Sequence, residues 1–137
     1  MQAAIDVARK GKTPFGAVLT MGDEIFAEAA NQTKALNDPT AHAELLVIRK
    51  LAEHLQKTDL SGFTLYTTCE PCPMCMSAAI WANIDRVVFG CSIDTISGYM
   101  PQIRLKSHEL AMLTTHKIEV IGNIMSEECE KLLKDFS

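Results

Sequence analysis

The sequence predicts an α/β protein: a three-layer α/β/α sandwich built on a mixed five-stranded sheet. Three observations carry that expectation. Strand-like and helix-like hydrophobic patterns alternate along most of the chain. One hairpin signal near the start supplies an antiparallel pair. Later strands are reached through helix-sized connections, which favour parallel pairing with helices on both faces. The 137 residues suffice for one domain with a substantial core. No repeat, low-complexity tract or linker divides them, so residues 1–137 read as a single domain.

Residues 2–10 have helical patterning, and Gly11 stops the helix. Residues 15–20 (FGAVLT) read as a buried strand, Gly22-Asp23 as a turn, and residues 25–29 (IFAEA) as the returning strand. A polar stretch then ends in Asp38-Pro39-Thr40. Thr40 suits the N-cap of a helix over 41–55, with Leu45, Ile48, Leu51 and Leu55 at helical spacing. A strand is expected at 63–68, and Pro71 opens a helix over 72–83. Residues 86–90 (RVVFG) form a fourth strand, 104–113 a helix and 117–121 a fifth strand. Ser126 caps a closing helix to Phe136.

Composition narrows the function. Hydrophobic residues make up 47% and charged residues 22%, the balance of a soluble globular protein. No apolar run approaches the length of a membrane span, and no signal segment opens the chain, so the expected setting is cytoplasmic. A net charge of −4 and a pI near 5.5 argue against a phosphate backbone as the main partner. Five cysteines are an odd number, and Cys69, Cys72 and Cys75 are clustered. That is the pattern of metal ligation or redox chemistry, not of a disulfide ladder. Cys69, Cys91 and Cys129 read as packed thiols.

Two segments concentrate the chemistry: His42-Ala43-Glu44 and Pro71-Cys72-Pro73-Met74-Cys75. Each opens a predicted helix, and the second follows a strand's carboxyl end, where open α/β sheets bind ligands. Cys72 and Cys75 share one face of a helix start, where unpaired N–H groups favour thiolates. Two thiolates and one imidazole, from His42, suit zinc and leave its fourth position to water, as in a catalytic site. Glu44 is the candidate base. In a regular helix, however, residues two apart do not share a face, so the pairing requires a distorted first turn. Two rival readings remain: a redox C-x-x-C pair, and a structural zinc with Cys69 as fourth ligand.

The full pattern is Pro14-Phe15-Gly16-Ala17-Val18, Asn31, then Asn37-Asp38-Pro39-Thr40-Ala41-His42-Ala43-Glu44, then Thr67-Thr68-Cys69-Glu70-Pro71-Cys72-Pro73-Met74-Cys75. It resembles the zinc-dependent nucleobase and nucleoside deaminases of the cytidine deaminase-like superfamily. The resemblance implies hydrolytic deamination, with one zinc per chain held by His42, Cys72 and Cys75 and a proton shuttle at Glu44. It also implies that Asn31 hydrogen-bonds the base and that backbone N–H groups near Ala43 and Cys72 hold it. Phe15 and Trp81 could wall the ring, although Trp81 fits a core or dimer interface as well. Asp94 is the candidate acidic contact to substrate. A homodimer is expected.

Two branches compete for the substrate. The string Cys69-Glu70-Pro71-Cys72-Pro73-Met74-Cys75, with Phe15, Asn37 and Trp81, resembles the guanine deaminases. Arg86-Val87-Val88-Phe89-Gly90 and the tail from Met125 resemble the tRNA adenosine deaminases. The leading expectation is a small-molecule nucleobase substrate, a free purine such as guanine. The alternatives are adenosine in tRNA, a pterin or cytosine. A non-enzymatic reading is a catalytically silent zinc-binding interaction module.

Overall fold

A two-residue turn at Gly22-Asp23, with Gly22 in the left-handed region at φ +60°, folds β1 (Gly16–Met21) back on β2 (Glu24–Ala30). The computed structural model describes residues 1–137. The other elements are α1 (Gln2–Lys10), α2 (Ala43–Leu55), β3 (Thr64–Cys69), α3 (Pro73–Trp81), β4 (Arg86–Cys91), α4 (Ile93–Ile96), α5 (Ser107–Met112), β5 (Glu119–Ile121) and α6 (Ser126–Phe136).

The sheet runs β2-β1-β3-β4-β5. β1 is antiparallel to both β2 and β3, while β3, β4 and β5 are mutually parallel neighbours. Thus α2 carries the chain across β1 and delivers β3 parallel to β2 but not beside it. β1 lies between two strands and is buried over five of its six residues; β2 at the edge is mostly exposed. Helices α1 and α6 cover one face, and α2, α3 and α5 the other. This is the expected three-layer sandwich with a mixed five-stranded sheet.

Two cores follow. Beneath α2 and α3 lie Val47, Ile48, Leu51, Leu60, Leu65, Met76 and Val87. Beneath α1 and α6 lie Ile5, Ala8, Leu132 and Leu133 with the thiols Cys69, Cys91 and Cys129. Each fully buried aliphatic side chain contributes about 1.5–3 kcal/mol. At Gly16 a Cβ would collide with the backbone at Ala4 and Ala8, so glycine lets α1 lie directly on β1.

The helix boundaries depart from expectation at functionally important points. Thr40 does not cap α2: its N–H and hydroxyl both donate to Asp38 Oδ1, at 2.9 and 2.7 Å, in the turn that precedes the helix. The helix starts at Ala43, with His42 as an extended N-cap at φ −69° and ψ 152°. Similarly, α3 starts at Pro73, with Cys72 as its extended N-cap. Ser126 is the first residue of α6 instead of its cap; Met125 holds that place in the left-handed region. The short helix α4 was not expected, and α5 is shorter than its predicted range.

Candidate functional site

The N-terminal ends of α2 and α3 meet beside the carboxyl end of β3. His42 and Cys72 are the two N-caps, and Cys75 lies in the first turn of α3. The donor atoms of His42, Cys72 and Cys75 all lie within 4.8 Å of one another. His42 Nδ1 is 3.6 Å from the Sγ of each cysteine. A tetrahedral zinc with ordinary bond lengths separates a nitrogen and a sulfur ligand by about 3.6 Å. The donor set and its spacing therefore fit zinc. Cys69 is not in this group, and it packs in the α1–α6 core instead. The chain thus offers three ligands, which is the set of an open site.

The extended N-cap also removes the spacing conflict between His42 and Glu44. His42 is outside the helix, so the rule for helical neighbours does not govern the pair. Glu44 is 4% exposed, and burial pushes its carboxyl above the ordinary range. Its Oε1 lies 3.0 Å from Thr67 Oγ1, whose one hydrogen is shared with the Cys69 carbonyl at 3.1 Å. The sulfurs are held unequally. A hydrogen bond from Cys75, supported by His42, brings Cys72 down to about 4. The Cys72 sulfur in turn pushes Cys75 up. His42 is raised by its contact with Cys72.

His42, Glu44 and Cys72 open onto a cavity of about 420 Å³, with Cys75 and Thr67 buried behind them. His42, Glu44, Cys69, Glu70 and Cys72 form its polar end. Phe15, Asn31, Thr33, Pro39 and Met74 line the sides, and Ile96, Met100, Pro101, Gln102 and Ile103 complete it. Phe15 is placed by Thr68, whose hydroxyl donates to Pro14 O at 2.7 Å and accepts from Gly16 N–H at 3.1 Å. Asn31 Nδ2 donates to Thr33 Oγ1 at 3.2 Å, which leaves its amide oxygen for an incoming donor.

The structure brings together His42, Cys72, Cys75, Glu44, Phe15 and Asn31 from the expected set. Ala43 is fully buried at the start of α2, and its side chain does not line the cavity. Two expectations are corrected. Trp81 does not wall this pocket. It ends α3, two turns from Cys75, and is 85% exposed. Asp94 does not face the pocket either: it pairs with Lys106 Nζ at 3.0 Å on the surface. Sequence reasoning missed Thr67, although its place two residues beyond Leu65 on a strand puts both on one face. It also missed the wall from Met100 to Ile103, which has no periodicity to read.

The sequence family of the cytidine and deoxycytidylate deaminase zinc-binding region matches residues 1–91. The chain belongs to this family. It is a zinc-dependent deaminase. The tRNA-specific adenosine deaminase of Bacillus subtilis (strain 168) is 37% identical over 140 residues, spanning 99% of this chain and 85% of that one. The guanine deaminase of the same organism is 47% identical over 76 residues, 56% of this chain and 49% of that one. A structure solved in work on A-to-I editing by tRNA:A34 deaminases superposes with a TM-score of 0.83 at 31% identity. It covers 96% of both chains. The relatives of the deaminase differ in substrate.

Proposed function

We propose that the deaminase hydrolyses the exocyclic amino group of a purine base, with a free base such as guanine as the leading substrate. One observation carries the chemistry: a buried carboxylate, Glu44, stands beside a three-ligand zinc cradle at the polar end of the cavity. His42, Cys72 and Cys75 would hold the zinc, which would make a water acidic enough to react at neutral pH. Glu44 takes the proton from the attacking water and gives it to the ring nitrogen next to the reacting carbon. It then carries the remaining proton, from the hydroxyl now on the ring carbon, to the amino group; the carbon–nitrogen bond breaks, the carbonyl forms and ammonia leaves. Thr67 orients Glu44. The Asn31 amide oxygen accepts from the base edge, with Phe15 against the ring. Backbone N–H groups at Ala43 and Cys72, at the starts of two helices, hold its polar edge.

The free-base reading is supported by the cavity's lining, which contains no Lys or Arg, by the net charge of −4 and by the identity with guanine deaminase. The second reading, adenosine in tRNA, is supported by the end-to-end similarity to tRNA adenosine deaminases. An ammonia-release assay over guanine, adenine, cytosine, their nucleosides, pterins and an anticodon stem-loop separates them. Release from guanine supports the first reading, and release from the RNA alone replaces it with the second.

The deaminase also pairs with a second copy through α3. That helix is apolar apart from Ser77, and Trp81, Met112 and Leu113 are 85%, 80% and 79% exposed along α3 and the end of α5. Helices apolar all round belong in interiors. Sedimentation should show a dimer that Trp81→Glu splits; a wild-type monomer at micromolar concentration removes the pairing. Five unpaired thiols support a reducing, cytoplasmic setting, and no helix is long and apolar enough to cross a membrane.

A further inference from the structure

Glu70 is the residue between the strand that ends at Cys69 and the Pro71-Cys72 turn. Its position in the metal motif invites a role at the zinc. Its contacts point elsewhere. The carboxylate is 6% exposed, and both oxygens are taken. Oε1 accepts from Ile93 N–H at 3.0 Å. Oε2 accepts from Ser107 N–H and from Ser107 Oγ, each at 2.8 Å. Ile93 begins α4 and Ser107 begins α5, so one side chain ties together the two ends of the stretch between them. The backbone of Glu70 is itself fixed, since its N–H donates to Cys91 O at 2.7 Å.

Other contacts fasten the same stretch. Asp94 and Lys106 pair at 3.0 Å across its base. Near its middle, Tyr99 donates from its hydroxyl to Glu130 Oε1 on α6 at 2.7 Å. The segment is therefore a surface loop whose ends are held close, a class of loop that often carries function. It supplies Ile96, Met100, Pro101, Gln102 and Ile103 to the cavity. Residues 101–106 belong to no helix or strand, so no ladder of backbone hydrogen bonds fixes that part of the wall.

We propose that Glu70 is a positioning residue that sets substrate specificity. Its doubly fastened carboxylate holds the 93–107 loop against the cavity, and the loop in turn chooses which base fits. The inference rests on the deaminase reading for its substrate and on the hydrogen bonds alone for its clamp. A carboxylate is suited to the place because it accepts several hydrogen bonds in charge-assisted form. A glutamine keeps the size but offers a single acceptor oxygen, so one end of the loop comes loose.

The test uses the zinc-loaded full chain and three variants: Glu70→Gln, Ser107→Ala and Asp94→Asn. Steady-state ammonia release is measured on the preferred base and on a second base, with zinc content and hydrogen–deuterium exchange of residues 97–106. For Glu70→Gln the KM should rise about tenfold while kcat stays within about threefold. The ratio of kcat/KM between the two bases should fall toward one. Exchange in 97–106 should quicken, and zinc should stay at one per chain. Ser107→Ala removes one of the three bonds and should move KM, ratio and exchange the same way by less. Asp94→Asn, which touches only the exposed pair, should move them least. If Glu70→Gln does not fold, Ser107→Ala decides. The proposal is overturned if exchange and the substrate ratio stay unchanged in both the Glu70 and Ser107 variants. It is equally overturned if kcat and zinc fall together at constant KM, which would make Glu70 a support of the metal helix. A wild-type chain that deaminates none of the bases sinks the proposed reaction; the clamp then stands or falls on the exchange of residues 97–106.

Discussion

The two sides of the cavity are built on opposite principles. The zinc side is made of helix starts. His42 and Cys72 cap α2 and α3, Cys75 is in the first turn of α3, and Glu44 lies one residue into α2. Each side chain is aimed by the backbone of a few neighbouring residues, and all of them rest on the core containing Val47, Leu51 and Met76. The opposite wall, from Ile96 to Ile103, is largely irregular chain. It is held from a distance by Glu70, by the Asp94–Lys106 pair and by Tyr99 on Glu130. Local geometry fixes the reacting groups, and remote contacts fix the part that meets the variable portion of a substrate. Such a division lets the chemistry stay constant while the choice of base changes.

Breaking the zinc side should give the largest effects. Glu44→Ala is expected to lower the rate of ammonia release by about 10²–10⁴-fold while zinc content and the unfolding midpoint hold. Undiminished turnover in that variant would show that the proton moves by another route. Cys72→Ala should lose zinc and stability together, since metal binding and folding are coupled. Metal analysis beside thermal unfolding checks this, and a fully loaded Cys72 variant would refute the ligand set. Thr67→Val is a finer probe. It keeps the shape of the residue but removes the hydroxyl beside the buried Glu44, costing about 1–3 kcal/mol in stability or activation. Its kcat should drop about tenfold with little change in KM, measured under saturating zinc.

The opposite wall should respond more gently and in a different parameter. Asp94→Asn breaks an exposed pair, and such pairs contribute little. Its kcat is expected to remain within about twofold of wild type, with an unfolding midpoint unchanged within error. A large loss of kcat there would restore Asp94 as a substrate contact and erase the contrast between the two sides.

Much of this contrast follows from which features are local. Strand and helix order could be read because hydrophobic periodicity and turn residues act over a few positions, as at Gly22-Asp23 or along Leu45, Ile48, Leu51 and Leu55. The metal and proton groups could be read because His-x-Glu and Cys-x-x-Cys are short motifs. Their alignment could not. Helical spacing sets His42 against Glu44, and the conflict disappears because the helix starts two residues later than expected, with His42 extended outside it. Resemblance and nearness in the chain point Trp81 and Asp94 toward the pocket, whereas exposure and pairing put them outside it.

The sequence by itself determined the α/β sandwich, the zinc donors and the neighbouring carboxylate, because each is written in residues a few positions apart. Tertiary structure alone decided the far wall, because Glu70 meets Ile93 and Ser107 across 23 and 37 positions of chain. Contacts over such separations depend on how the sheet brings strand ends together, and no local pattern encodes that.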